Sequence, residues 1–168
     1  MKLSHIIAII IGLLLGGAGG FAAGIFFFPI LFPPPPAMEQ LAAGDARTLV
    51  AEGTFIHADP NDPVHYGMGR VKILRGDTGR HVVFLDEKFK VGPGPRFHVY
   101  LTEKPDIGVK NKFDEKSAID LGQLRAFEGS QIFKIPSAVD ITPVRSVVIW
   151  CKEFHVLISP ATLKRPAG

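Results

Sequence analysis

The chain has 168 residues, 46% of them hydrophobic and 21% charged, with 19 Lys and Arg against 16 Asp and Glu and a formal net charge of +3. This length accommodates one domain with appendages rather than two full hydrophobic cores. The nearly balanced charge, with no basic run beyond the tail LKRPAG, argues against nucleic acid as a partner.

The N-terminal segment, residues 1–32, is predicted to be one transmembrane helix. Residues 3–38 contain no Asp, Glu, Lys or Arg. At about 1.5 Å per residue, residues 6–28 are long enough to cross a hydrocarbon core of about 30 Å. A cleaved signal peptide is the alternative, because GGFAAG supplies small residues, but the apolar stretch continues through IFFFPILF and favours a retained anchor. Lys2 precedes the span, which predicts a single-pass protein of the cell membrane with an extracytoplasmic C-terminal domain.

Four glycines recur at every fourth position of this span: Gly12, Gly16, Gly20 and Gly24. On a helix they share one face, where the absence of side chains lets another helix approach closely. This pattern favours a homo-oligomer or a membrane partner held through that face. The alternative is that glycine is simply frequent in membrane helices, and Gly17 and Gly19 lie between the repeats.

A Pro-rich linker is predicted over residues 33–48. Pro29 and the four prolines at 33–36 end the helix, because proline lacks a backbone donor and disfavours the helical conformation of the residue before it. The proline run then predicts a polyproline spacer between the membrane and a domain over residues 49–165.

Within residues 49–165, short β-rich segments alternate with turn sequences. The segments are AEGTFIH, GRVKILR, RHVVFLD, RFHVYLT, QIFKIP, RSVVIWC and FHVLIS, and the breaks between them are rich in Gly, Pro and Asp. Their spacing predicts an all-β domain, an antiparallel β-sandwich or barrel of about seven to nine short strands. In RFHVYLT the alternation places Phe97, Val99 and Leu101 on the core face, with His98 and Tyr100 opposite.

Cys151 is the chain's one cysteine, and it lies within the apolar run VVIWCKEFHVLIS. Both faces of VVIWC are apolar, which is typical of a central, doubly covered strand. Thiols in such surroundings are usually inert, because burial disfavours the reactive thiolate. An unpaired cysteine in an oxidising compartment also indicates a reactive thiol, an intermolecular disulfide or a ligand. From the residues alone, both interpretations stay open.

The histidines belong to none of the HExxH, CxxC or CxxCH signatures, all of which are missing from the sequence. In HADPNDPVH, His57, Asp59, Asp62 and His65 are weak candidate ligands for a divalent metal. Ordinary turn chemistry at Asp-Pro and Asn-Asp is the favoured alternative. The sequence has no GxSxG motif and no phosphate loop, so no constellation identifies an enzyme, and a non-enzymatic redox or binding domain is favoured.

Several motifs, in order, resemble the DM-thirteen domain of Skeletor-type cell-surface proteins and many bacterial ones. VVIWCKEFHVLISPATL resembles its C-terminal signature, and GTFIH, HYGMGRVKI, GPRFHVYLT and LGQLRAFEGSQIFKIP resemble its earlier elements. The resemblance covers residues 51–163. It identifies the chain as similar to the membrane-anchored, bacterial-type members of this family.

The resemblance implies a β-rich electron-transfer domain whose near-constant cysteine, here Cys151, is a bare thiol or a ligand to a group such as haem. If haem is the cofactor, His65 and His98 are the candidate second ligands. One departure is Arg96, where family members often carry an acidic residue after Gly-Pro. The alternative function is a non-catalytic cell-surface binding or assembly module in which Cys151 only packs in the core. Neither interpretation names a redox partner.

Overall fold

The computed structural model describes residues 3–42 and 47–166, without the side chain of Phe26. Helix α1 spans Leu3–Leu31, and its segment Leu3–Ile25 is long and apolar enough to cross a membrane. The helix continues through Pro29 instead of ending there, because one missing backbone donor removes only a single hydrogen bond. It ends before the proline run at 33–36.

The four repeated glycines of α1 face open space. No heavy atom of the described chain, apart from the helix's own neighbouring backbone, lies within 4 Å of a Cβ built at Gly12, Gly16, Gly20 or Gly24. No described residue therefore packs directly against these four glycines, and their association with another helix stays a prediction.

Eleven strands follow among the described residues, three of them only two residues long. They are β1 (Ala37–Met38), β2 (Arg47–Thr54), β3 (Gly67–Met68), β4 (Arg70–Gly76), β5 (His81–Leu85), β6 (Lys90–Val91), β7 (Phe97–Thr102), β8 (Ile119–Gln123), β9 (Gly129–Lys134), β10 (Ser146–Cys151) and β11 (Val156–Thr162). Each of the seven segments predicted as strands overlaps one of the eight longer strands, and β8 is the longer strand that the segments do not include.

Two sheets make up the sandwich. The first has the order β1-β9-β5-β4-β2, with β1 parallel to β9 and the other pairs antiparallel, and the second has the antiparallel order β11-β10-β7-β8. A separate small pair joins β3 to β6. Neither sheet closes into a barrel in the part of the chain that the structure describes, so the sandwich form of the prediction is confirmed.

The segment predicted as a linker also contributes to the first sheet through β1. Ala37 lies beside Gly129 of β9, and Gly129 has a left-handed φ of +88°. A Cβ at Gly129 would lie 2.0 Å from the Ala37 carbonyl oxygen, so only glycine permits this approach. Glu39, just after β1, contacts the Arg125 guanidinium.

The core lies between the two sheets. Val83 and Leu85 from the first sheet face Val99, Leu101 and Ile149 from the second, and each of these side chains is completely buried. The alternation predicted for β7 is confirmed, since its odd-numbered residues join this core. A smaller apolar cluster lies on the other face of the second sheet.

That second cluster exists because the β7–β8 connection folds over the outer face of the second sheet. Ile107 and Phe113 of the connection pack on Tyr100 of β7 and Val148 of β10. The connection ends in a short 3-10 turn, Glu115–Ser117, capped by the Asp114 side chain, which accepts the Lys116 N–H. The second sheet is thus buried on both faces, as the doubly apolar sequence of β10 predicts.

Candidate redox site

Cys151 is the last residue of β10, at the edge of the main core. It lies opposite Phe97 of β7, and it is 1% exposed. Its thiol donates a hydrogen bond to the Pro95 carbonyl, with a sulfur–oxygen distance of 3.3 Å. The predicted burial of Cys151 is therefore correct, and the thiol is covered by main chain rather than by an apolar side chain alone.

The covering main chain is the loop GPGPR at residues 92–96. Gly94 lies so close to Phe97 that a Cβ would come within 2.4 Å of the ring. Arg96 takes a left-handed φ of 46°, which is uncommon for a residue with a side chain. Its guanidinium forms a 2.9 Å ion pair with Glu153, just beyond β10. Arg96, the residue that departs from the family pattern, thus helps to hold the loop over the thiol.

A pocket of about 410 Å³ lies beside the thiol, and Cys151 and His65 both line it. Asp62 lines the same pocket and lies 2.5 Å from His65, measured from Oδ2 to Nδ1. Hydrogen bonds from the His65 side chain and backbone lower the pKa of Asp62 from 3.8 to about 2. Because a carboxylate can only accept, Nδ1 of His65 carries the proton of this hydrogen bond.

His98, the other predicted partner of Cys151, lies on the opposite face of the second sheet. It is paired with Trp150, the neighbour of Cys151 that points the other way. Its Nδ1 lies 2.9 Å from Asp120 Oδ1. Since successive strand residues point to opposite faces, His98 and Cys151 cannot bind the same iron. The prediction of His98 as a second haem ligand is therefore corrected.

A haem does not fit the Cys151 pocket as it is folded. A thiolate and an imidazole are suitable axial donors, and Cys151 and His65 supply one of each. An axial ligand, however, must present its sulfur to the macrocycle, whereas Cys151 is 1% exposed and lies under Pro95. Haem ligation would require the loop at residues 92–96 to leave the thiol.

The candidate metal ligands in HADPNDPVH are engaged in turn hydrogen bonds. His57 Nε2 lies 2.6 Å from the backbone oxygen of Asp62, and Asp59 Oδ1 accepts the Asn61 N–H at 3.0 Å. Asp62 Oδ1 accepts the backbone N–H of His65. Among the residues described, no three His, Cys, Asp or Glu side chains are grouped to hold a metal ion. Turn chemistry accounts for this segment.

A polar network that the sequence did not predict lies on the outer face of the second sheet, centred on Glu115. Oε1 of Glu115 accepts the Tyr100 hydroxyl at 2.7 Å, and Oε2 accepts the Trp150 indole N–H at 3.1 Å. His155 Nδ1 lies 3.2 Å from Oε2. Strand alternation puts Tyr100 and Trp150 on one face, but no spacing in the sequence places Glu115 beside them.

The electrostatics of this network favour an ionised Glu115 and a neutral Tyr100. Partial burial works to raise the pKa of Glu115, but the hydrogen bonds from Tyr100, Trp150 and His155 outweigh it and lower that pKa below 4.5. Burial, followed by the bond to Glu115 and the charge of Asp120, raises the pKa of Tyr100 far above its usual 10.0.

One family model, described as Electron transfer DM13, matches residues 61–163. That span contains Cys151 with its covering loop, the His65–Asp62 pair and the Glu115 network. No curated protein and no solved structure gave a match. The match spans more than half of the chain and agrees with the motifs that carry the resemblance in the sequence. The chain belongs to the Electron transfer DM13 family.

Proposed function

We propose that this protein is a membrane-anchored electron-transfer domain whose redox group is the bare thiol of Cys151. The single observation that supports this most is the shared pocket of Cys151 and His65, with His65 held by Asp62. Membership of an electron-transfer family supplies the class of function. The geometry favours a bare thiol over a haem ligand, because the covered sulfur offers no face to a macrocycle.

The chemistry that fits a single thiol, once its covering loop opens, is exchange with a partner's disulfide. The Cys151 thiolate attacks one sulfur of that disulfide, a mixed disulfide forms, and the partner's other sulfur leaves as a thiolate. An external thiolate then attacks the partner's sulfur in the mixed disulfide, forms a new disulfide with the partner, and releases Cys151 as a thiolate. His65, which lines the same pocket and has its Nδ1 bonded to Asp62, is the group suited to take the thiol proton through Nε2.

Access to the thiol is expected to depend on the loop at residues 92–96. The Arg96–Glu153 pair that restrains this loop is about half exposed on both sides, so it contributes little to the stability of the fold. We expect brief opening of the loop to cost less than unfolding, and it would widen the way to the thiol from the 410 Å³ pocket that Cys151 already lines.

The anchor is assigned to α1, and the β-domain is assigned to the extracytoplasmic side. The length and apolarity of Leu3–Ile25 and the single charge of Lys2 before it support this arrangement. An oxidising compartment also suits a thiol that exchanges with disulfides.

The burial of Cys151 favours a second candidate, a non-catalytic surface module in which the cysteine only packs. In that case Cys151→Ala lowers the free energy of unfolding by about 1–3 kcal/mol through the cavity it leaves. Cys151 would then react with thiol reagents only as fast as the whole domain unfolds.

The deciding experiment titrates the full chain in detergent micelles, under native conditions, with an aromatic disulfide that releases a coloured thiolate. We expect one thiol to react, and Cys151→Ser to abolish the reaction. Glu153→Gln should speed the reaction about two- to fivefold, because one exposed ion pair no longer restrains the loop. Glu87→Gln removes an equal charge from the β5–β6 connection and should leave the rate unchanged.

Two results would overturn the bare-thiol proposal. A rate that equals global unfolding in every variant would leave Cys151 as a packing residue. A Soret band that appears when haemin is added to the full chain and disappears in Cys151→Ala would make the cysteine a haem ligand instead.

A further inference from the structure

The outer face of the second sheet holds a buried phenol directly bonded to an ionised carboxylate. Tyr100 is 2% exposed, and its hydroxyl lies 2.7 Å from Glu115 Oε1. The Glu115 side chain is about a quarter exposed, so the carboxylate connects a buried ring with solvent. A phenol whose proton has an acceptor already in place loses an electron far more readily than one without, because no charged radical cation has to form.

The same carboxylate also contacts the chain's one tryptophan. Trp150 donates its indole N–H to Glu115 Oε2 at 3.1 Å, and it borders a surface pocket of about 360 Å³. The Phe113 ring bridges the two other aromatic rings, with its centroid 5.4 Å from that of Tyr100 and 4.9 Å from that of Trp150. An unbroken aromatic path therefore runs from the pocket at the surface to the buried phenol.

The charged groups around Tyr100 come from every element packed on this face. Asp120 of β8 is held by His98 and by Lys152 Nζ at 3.0 Å, and His155 lies at the solvent side of Glu115. The Lys152 and histidine contacts keep both carboxylates ionised and ordered. Glu115 makes the 2.7 Å hydrogen bond with the phenol oxygen, and the Asp120 carboxylate also interacts with the phenol, through its charge and as a second acceptor.

We propose that Tyr100 is a second redox-active residue of this domain, a one-electron donor that passes its proton to Glu115 when it is oxidised. The oxidant is a metal-centred one-electron acceptor of high potential that approaches the Trp150 pocket, and its metal falls by one oxidation state. The electron leaves the Tyr100 ring, the O–H bond breaks, and a new O–H bond forms at Glu115 Oε1. The products are a neutral tyrosyl radical and a protonated Glu115, which can now donate back to the phenoxyl oxygen.

This inference rests on the proposed electron-transfer function but uses residues that the thiol chemistry does not touch. Cys151 and Trp150 are consecutive in β10, so a single strand connects the two redox groups.

The test is flash oxidation of the full chain in detergent micelles by photogenerated tris(bipyridyl)ruthenium(III). We expect the absorption and electron paramagnetic resonance signals of a neutral tyrosyl radical, lost in Tyr100→Phe and retained in Tyr66→Phe, which alters the chain's other tyrosine. Glu115→Gln preserves the shape of the acceptor but not its basicity, so it should slow radical formation at least about tenfold. It should also change the solvent deuterium isotope effect.

Thermal unfolding of each variant shows whether it is folded, and Cys151→Ser separates the two proposals. An unchanged radical in Tyr100→Phe, or an unchanged rate and isotope effect in Glu115→Gln, would overturn the inference. If the thiol of Cys151 reacts but no tyrosyl radical forms, the Tyr100 inference is wrong and the thiol proposal stands. A tyrosyl radical that survives in Cys151→Ser, beside an inert thiol in the parent chain, contradicts only the thiol proposal.

Discussion

The two faces of the second sheet carry opposite kinds of structure on the same strands. On the inner face, Val99, Ile149 and Cys151 are buried in an apolar core. On the outer face, Tyr100 and Trp150 are held by hydrogen bonds to the Glu115 carboxylate. Neighbouring residues of one strand thus lie in environments of different polarity, one under a complete sheet and the other under a single connecting segment.

The difference follows from what lies over each face. The inner face meets a complete second sheet, and close packing excludes polar groups there unless they are hydrogen-bonded. The outer face is covered mainly by the β7–β8 connection, which brings Phe113 but also Glu115. A thin cover leaves carboxylates near solvent, where they remain ionised and still reach the buried phenol and indole.

The largest effect is expected on the inner face, at Ile149. Ile149→Ala removes three carbon atoms from a completely buried position and should lower the free energy of unfolding by about 2–5 kcal/mol. Ile149→Val, the matched control, should cost about 0.5–1.5 kcal/mol. Chemical denaturation measures both. If both variants lose the same small amount of stability, the two sheets do not pack closely around Ile149.

On the outer face, stability should depend on a hydrogen-bond acceptor, the Glu115 carboxylate, rather than on the volume of a buried side chain. Glu115→Ala leaves the hydroxyl of Tyr100 and the indole N–H of Trp150 without their shared partner, and should cost about 1–3 kcal/mol. Glu115→Gln keeps one carbonyl oxygen and should cost less. Chemical denaturation measures the loss of stability, and Trp150 fluorescence reports the loss of the indole hydrogen bond. If the Ala and Gln variants are equally stable, the hydrogen bonds do not stabilise this face.

The sequence predicted the inner face better than the outer one, for a physical reason. Alternation along a strand depends on local covalent geometry, so the core side of β7 and the burial of Cys151 follow from nearby residues. The position of Glu115 depends on how the β7–β8 connection folds over the sheet. No local pattern encodes that path, and the partners of Glu115 come from two separate parts of the chain, Tyr100 from one and Trp150 with His155 from the other.

The same reasoning applies to the thiol. The sequence predicts a buried Cys151, but it does not show that the loop at residues 92–96 supplies the cover. His65 was a candidate partner because of its chemistry, and the structure brings it to the thiol's pocket. His98 was a candidate on equal grounds, but the register between β7 and β10 places it on the opposite face from Cys151. Since both faces of VVIWC are apolar, the sequence did not show which face Cys151 would share.

The smallest effect is expected at the Asp62–His65 pair, which lines both the pocket beside Cys151 and the pocket beside Trp150. The folded protein holds the pKa of Asp62 at about 2, below its ordinary 3.8, so protonation favours the unfolded chain. The stability that this pair contributes is therefore complete above pH 3.8 and is lost as the pH falls through about 2. Both side chains are about a third exposed, so solvent screening limits the contribution to under about 1 kcal/mol.

Asp62→Asn tests this directly, because asparagine keeps the oxygen that accepts the backbone N–H of Val64 and His65. The parent chain should be slightly more stable than the variant at neutral pH, and the difference should shrink towards zero as the pH approaches 2. Carboxylates common to both chains cancel in this difference. A difference that stays constant across that range would show that the charge of Asp62 does not hold His65 in place between the two pockets.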